Sequence, residues 1–161
     1  MSIKDVYLNW YNLALKALTY EVMGTITKRS FSNVVLTGMG GSGIVGDVIY
    51  SLACKTSLIP FTVIKDFRLP RWVGKDSLVC IISYSGNTVE TLNATLDALN
   101  ANAEVAVISS NGKLIKLAES KNLPYIQIDG GLAPRAAFPI LLIATLKLLD
   151  HYGIKLGNDL S

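Results

Sequence analysis

A single histidine and two cysteines are all that the 161 residues offer toward soft metal ligation or histidine chemistry. Cys54 and Cys80 form no C-x-x-C pair and have no companion cluster, so neither a zinc site nor a disulfide framework is indicated. Unpaired thiols fit a reducing, cytoplasmic compartment. Charge is scarce too: charged residues make up 17% of the chain against 50% hydrophobic, and the net charge is only +3. There is no basic stripe of the kind that tracks nucleic acid. The tightest basic groups, Lys28-Arg29 and Lys113/Lys116/Lys121, read as solvated faces. No hydrophobic run is long enough for a bilayer: the most apolar stretch, Ala136–Leu149, includes Pro139 and Lys147 and reads as a buried helix. Met1–Tyr20 shows no signal-peptide pattern. No repeat, low-complexity tract or linker precedes the tail, Gly153–Ser161. These absences point away from nucleic acid and membrane, and the small positive balance mildly favours an anionic ligand.

What is present reads as one domain, 1–161, since a chain of this length has room for one full core. Val6, Trp10, Leu13, Ala14, Ala17 and Leu18 recur at helical spacing and predict an amphipathic helix over 3–21. The core then runs over 33–152. Strands are predicted at Asn33–Thr37, Pro60–Ile64, Ser77–Ile82, Glu104–Ile108 and Tyr125–Ile128. Helices are predicted at Ile44–Ala53, Val89–Asn100, Lys113–Ser120 and Ala136–Tyr152, the last closed by Gly153. In Val89–Asn100, Leu92, Thr95, Leu96 and Leu99 mark the inward side. Ser77–Ile82 is nearly all apolar and so buried on both faces. Strand and helix alternate five times, which argues for an α/β fold: a parallel sheet with helices on both faces. The apolar excess predicts a homodimer or higher oligomer, with the first helix (Trp10, Tyr11) or the last at the contact.

Two loops carry the functional signal. Gly38-Met39-Gly40-Gly41-Ser42-Gly43 follows a strand and opens a helix, where backbone N–H groups and the helix dipole converge on an anion. Ser42 adds a hydroxyl. The same residues match G-x-G-x-x-G through Gly38, Gly40 and Gly43, and Asp66 follows the second strand, so a dinucleotide site remains an alternative on this loop alone. Ser83-Tyr84-Ser85-Gly86-Asn87-Thr88 also follows a buried strand and opens a helix. Ser83, Ser85 and Thr88 are neutral donors suited to a monophosphate, and a dinucleotide fold has no need of them. Asn87 with Glu90 three residues on reads as a capping box. His151 reads as a cation at a helix C-terminus.

These two loops, with Gly46-Asp47, Val89-Glu90-Thr91 and Pro134-Arg135-Ala136-Ala137-Phe138-Pro139, resemble the sugar isomerase (SIS) domain, and most closely the N-terminal half of archaeal bifunctional phosphoglucose/phosphomannose isomerases. The resemblance runs over nearly the whole chain. It implies a flavodoxin-like three-layer αβα sandwich with a five-stranded parallel sheet. It implies a substrate such as glucose 6-phosphate, fructose 6-phosphate or mannose 6-phosphate, with Gly41, Ser42, Ser83, Ser85 and Thr88 at the phosphate. Arg135 would stand beside the reacting carbons as the catalytic cation, stabilising an enediolate. Such proton transfer calls for no metal and no redox cofactor. In one respect the chain departs from that family. Its members carry two SIS domains, with the proposed glutamate base and ring-opening histidine in the second. The resemblance therefore also implies a second SIS unit as partner, on the same or another chain. A non-catalytic sugar-phosphate sensor is the alternative.

Overall fold

The computed structural model describes residues 3–157. Eleven elements follow in order: α1 (Ile3–Leu8), α2 (Trp10–Ala17), β1 (Asn33–Thr37), α3 (Gly40–Thr56), β2 (Phe61–Ile64), β3 (Ser77–Ser83), α4 (Val89–Asn100), β4 (Glu104–Ser109), α5 (Gly112–Ser120), β5 (Tyr125–Gln127) and α6 (Phe138–His151). The strands form one sheet in the order β2-β1-β3-β4-β5, with every neighbouring pair parallel.

Period-two alternation sorts the strand side chains onto two cores. Leu36, Leu78, Cys80, Ile82, Ala106 and Ile108 face α3 and α6, where Val45, Ile49, Ile140, Leu141, Ala144 and Leu148 meet them. Val35, Val79, Ile81, Val105 and Val107 face α4 and α5, meeting Ala98, Leu114, Ile115 and Ala118. The architecture is thus helix, sheet, helix. β3 lies mid-sheet and is buried at all its positions, as its unbroken apolar run requires. No helix among the described residues is long and apolar enough to cross a membrane.

Three readings need correction. The helix expected over 3–21 is two helices meeting at Asn9 (φ −95°, ψ 7°), and the second ends at Ala17. The residues beyond are drawn off by the sheet: Met23 and Tyr125 exchange both backbone hydrogen bonds, at 2.8 and 3.0 Å, as an antiparallel bridge on β5. The Lys147 ammonium donates to the carbonyls of Leu18 and Tyr20, serving as a tertiary cap where α2 stops. On α4, Thr95 is buried and Leu92 and Leu99 pack inward as expected, but Leu96 is 48% exposed and Thr91, Ala94 and Ala98 are buried against the sheet as well. Small side chains allow a close approach, and the buried threonines satisfy their own hydroxyls: Thr91 Oγ1 donates to the Thr88 carbonyl (2.9 Å) and Thr95 Oγ1 to that of Thr91 (2.6 Å). Finally, Asn87 and Glu90 form no capping box. Thr88 is the N-cap of α4, without a side-chain bond, and Asn87 Oδ1 instead accepts the N–H of Lys113 (3.0 Å) in the first turn of α5.

Candidate functional site

β1 and β3 are paired neighbours, so the loops that follow them leave the same edge of the sheet side by side. From β1 the chain steps outward to β2 on one flank, and β3 begins the march toward β5 on the other. This reversal opens a crevice beyond the strand C-termini, the place where open α/β sheets bind ligands. The order also differs from the dinucleotide-binding 3-2-1-4-5-6 arrangement.

In the crevice, each serine accepts a hydrogen bond from the backbone. Ser42 Oγ receives the N–H of Tyr84 (3.2 Å), joining the two loops. Ser83 Oγ receives the N–H of Gly86 (3.2 Å) and lies 3.3 Å from Thr88 Oγ1. Ser85 Oγ receives the N–H of Asn87 (3.3 Å). A hydroxyl that accepts from the backbone is oriented and still has its proton to donate. Ser42 and Ser83 are buried, Thr88 is half-buried and Ser85 is exposed, so the set runs from the floor of the crevice to its rim. The N-caps of α3 and α4, Met39 and Thr88, make no side-chain bond to their first turns, leaving helix N-terminal donors aimed outward.

The segment between β5 and α6 closes the third side. A Cβ built on Gly41 would lie 3.4 Å from the Pro134 carbonyl oxygen and 3.7 Å from the Arg135 Cα. The sequence places these residues almost a hundred positions apart, and the fold sets them in contact. Arg135 and Gly41 border a groove of about 360 Å³ together with Tyr7, Trp10, Ile44 and Phe138. Trp10 stacks on Phe138, with centroids 5.7 Å apart and planes at 30°. A larger groove of about 660 Å³, beside Arg68, Arg71 and Asp97, lies by the last turns of α4. It is remote from the hydroxyls, so chemistry rather than size marks the site.

The acids and the histidine divide clearly. Asp47 Oδ2 is paired with the Lys65 ammonium at 2.5 Å. Asp66 Oδ1 accepts the N–H of Phe67 (2.6 Å). Glu90 lies half-buried in the first turn of α4, next to the hydroxyl loop. His151 ends the fourteen-residue α6, thirteen positions from its site end, or about 20 Å at the helical rise. Its Nδ1 meets the Lys147 carbonyl at 2.9 Å. The fold therefore gathers Gly41, Ser42, Ser83, Ser85, Thr88 and Arg135 at one edge and leaves His151 at the other. Sequence reading missed Tyr84, which bonds three of the loops at this edge. Its only signal was a large aromatic residue amid small polar ones.

A five-stranded parallel αβα sheet with a hydroxyl loop at its crevice defines the class: the chain has the SIS fold of phosphosugar isomerases. It superimposes on tagatose-6-phosphate ketose/aldose isomerase from Escherichia coli with a TM-score of 0.62 at 20% identity, covering 95% of this chain and 43% of that one. By sequence it is similar to bifunctional phosphoglucose/phosphomannose isomerases. It is 39% identical to that of Caldicellulosiruptor bescii over 129 residues, 80% of this chain and 38% of the relative. It is 36% identical to that of Pyrobaculum calidifontis over 155 residues, 92% of this chain and 50% of the relative. The chain thus spans half or less of the length of these curated relatives. No protein-family model matches it.

Proposed function

We propose that this chain is the phosphate-binding SIS unit of a sugar-phosphate isomerase that interconverts aldose and ketose phosphates, of the glucose 6-phosphate and fructose 6-phosphate type, with mannose 6-phosphate as a further substrate. The observation that supports the reading is the set of oriented hydroxyls at the β1/β3 edge, with the Pro134-Arg135 backbone packed against Gly41 of the neighbouring loop. Ser42, Ser83, Ser85 and Thr88 donate to the phosphate, helped by the helix N-termini at Gly41 and Val89. Ser83, on the floor, also sets the loop by accepting the Gly86 N–H. Arg135 lies alongside, where a fixed cation stabilises the enediolate formed as a proton moves between the first two carbons.

The proton needs a base. Asp47 is held by Lys65 and His151 lies at the far end of α6, so Glu90 is the acid near the hydroxyl loop. A second SIS unit, on the same or a second chain, supplies the base and the opposite wall in this reading. Self-association fits the surface: Leu8 and Tyr11, on α1 and α2, are 76% and 74% exposed. The other expected contact, α6, is largely turned inward, with Ile140, Leu141, Ala144, Leu148 and Leu149 buried.

A coupled assay of fructose 6-phosphate to glucose 6-phosphate conversion, with mannose 6-phosphate alongside, tests the proposal. Turnover is expected. Arg135→Ala is expected to lower kcat by roughly a hundredfold, in the range for loss of one transition-state charge contact, with the melting temperature unchanged because Arg135 is exposed. Binding of fructose 6-phosphate by calorimetry without turnover of either substrate would mean a half-site: a piece of a longer enzyme, one subunit of a split enzyme, or the second reading, a sugar-phosphate sensor.

A further inference from the structure

Tyr84 bonds to three segments that border the site. Its N–H donates to Ser42 Oγ of the glycine loop (3.2 Å). Its carbonyl accepts both the N–H (3.0 Å) and the hydroxyl (2.6 Å) of Ser110, from the loop after β4. Its phenolic oxygen accepts the N–H of Leu132 at 2.8 Å. The side chain is 8% exposed and packed into the core that faces α3 and α6. The phenol thus points away from the crevice, toward the segment that bears Arg135.

That segment is held at two ends. Leu132 is pinned by the phenol. Next comes a turn closed by the Ala136 N–H on the Ala133 carbonyl (2.8 Å), with Arg135 inside it. Ala136 and Ala137 are then buried as α6 begins. The far end of the turn is thus fixed by packing, and the near end by the Leu132 side chain against the core and by the one hydrogen bond its N–H donates to a residue of the hydroxyl loop. A charge that acts on carbons several bonds from the phosphate must be held at a set distance from the phosphate grip. Leu132 and Tyr84 provide that connection.

We propose that Tyr84 is a positioning residue that couples the phosphate loop to Arg135, so that an anion ordering Ser83–Thr88 also orders the turn that presents the guanidinium. The catalytic consequence rests on the isomerase reading; the coupling itself does not. Tyr84→Phe keeps the ring and its burial and removes only the acceptor for Leu132. The probes are inorganic phosphate and fructose 6-phosphate, followed by amide hydrogen exchange and steady-state kinetics. In the unaltered protein, phosphate is expected to slow exchange both in 83–88 and at Leu132 and Arg135. In Tyr84→Phe the slowing persists in 83–88 and disappears at Leu132 and Arg135. With fructose 6-phosphate, kcat falls on the order of tenfold while KM stays within about twofold. Adding Arg135→Ala to Tyr84→Phe then costs less than it does alone, because the two act as a unit.

Phosphate protection that stops at 83–88 in the unaltered protein overturns the coupling. So does a Tyr84→Phe enzyme whose kcat is intact, even if it melts earlier, since that pattern marks a purely structural tyrosine. If the unaltered protein turns over neither sugar phosphate, the isomerase reading fails by itself, and the exchange pattern alone decides for or against the Tyr84 coupling.

Discussion

The loop after β1 holds four glycines and one serine in Gly38–Gly43; the loop after β3 holds two serines, one threonine and one glycine in Ser83–Thr88. Both open helices at the same sheet edge, yet they approach a ligand by different means. The first passes almost at once into α3, which begins at Gly40, so its donors are mainly backbone N–H groups. The second takes a longer path from β3 to α4, during which Ser83 and Ser85 each accept a backbone N–H and keep a proton to donate. One loop works by the absence of side chains and the other by their presence. The two should therefore fail in different ways when altered.

The largest effect is expected at the one glycine of the hydroxyl loop. Gly86 has φ +67°, and a Cβ there would lie 1.8 Å from the Asn111 carbonyl oxygen. Gly86→Ala should cost about 3 kcal/mol, because backbone on both sides has to move. Urea denaturation should show a midpoint lowered by about 1–3 M, that loss divided by a slope of about 1–3 kcal/mol per M, and an unchanged midpoint would mean that the loops after β3 and β4 are not interlocked.

Next comes pH, acting through β3 beneath the hydroxyl loop. Burial pushes the Cys80 thiol up to about 12 from 9.0. The raised value means that the folded state holds a proton that the unfolded chain releases. The thiol's contribution is fully present below pH 9 and is lost as pH rises from 9 toward 12, at about 1.4 kcal/mol per pH unit. Cys80→Ala should reduce the alkaline slope of the stability curve while lowering the plateau, the remaining slope coming from Tyr20, Tyr125 and Tyr152, whose phenols burial also pushes up.

Smaller again is the effect on binding of removing hydroxyls. Ser83→Ala with Ser85→Ala should weaken fructose 6-phosphate binding by about 1–3 kcal/mol at 0.5–1.5 kcal/mol per hydrogen bond, measured by calorimetry, with the domain still folded. The smallest effect is expected in the glycine loop. Gly40 has φ +54° but open space around its Cβ position, so Gly40→Ala should cost only about 1 kcal/mol of backbone strain. Equal losses at Gly40 and Gly86 would erase the distinction between the loops.

Much of this was legible along the chain. β1 at Asn33–Thr37 and α4 at Val89–Asn100 have the limits their sequence predicts, because apolar runs and polar punctuation are local signals. The hydroxyl and glycine loops were legible for the same reason, as each is a short contiguous motif. The inward face of α4 was legible in part: Thr95 is buried and Leu92 and Leu99 pack on the core as expected, while Leu96 is exposed and the sheet takes the small residues Ala94 and Ala98 as well, since closeness of approach depends on both partners. The end of α2 was hidden, being set by the edge of β5 and by Lys147.

By itself, the sequence determined the alternation of elements, the buried central strand and the residue types that meet an anion, since these follow from periodicity and from chemistry within a few residues. Only the tertiary structure decided that Gly41 lies against Arg135, that Asn87 serves α5 rather than α4, and that Tyr84 joins three loops. Those contacts link residues far apart in the chain, and they exist because parallel pairing of β1, β3 and β4 brings their C-terminal ends to one edge.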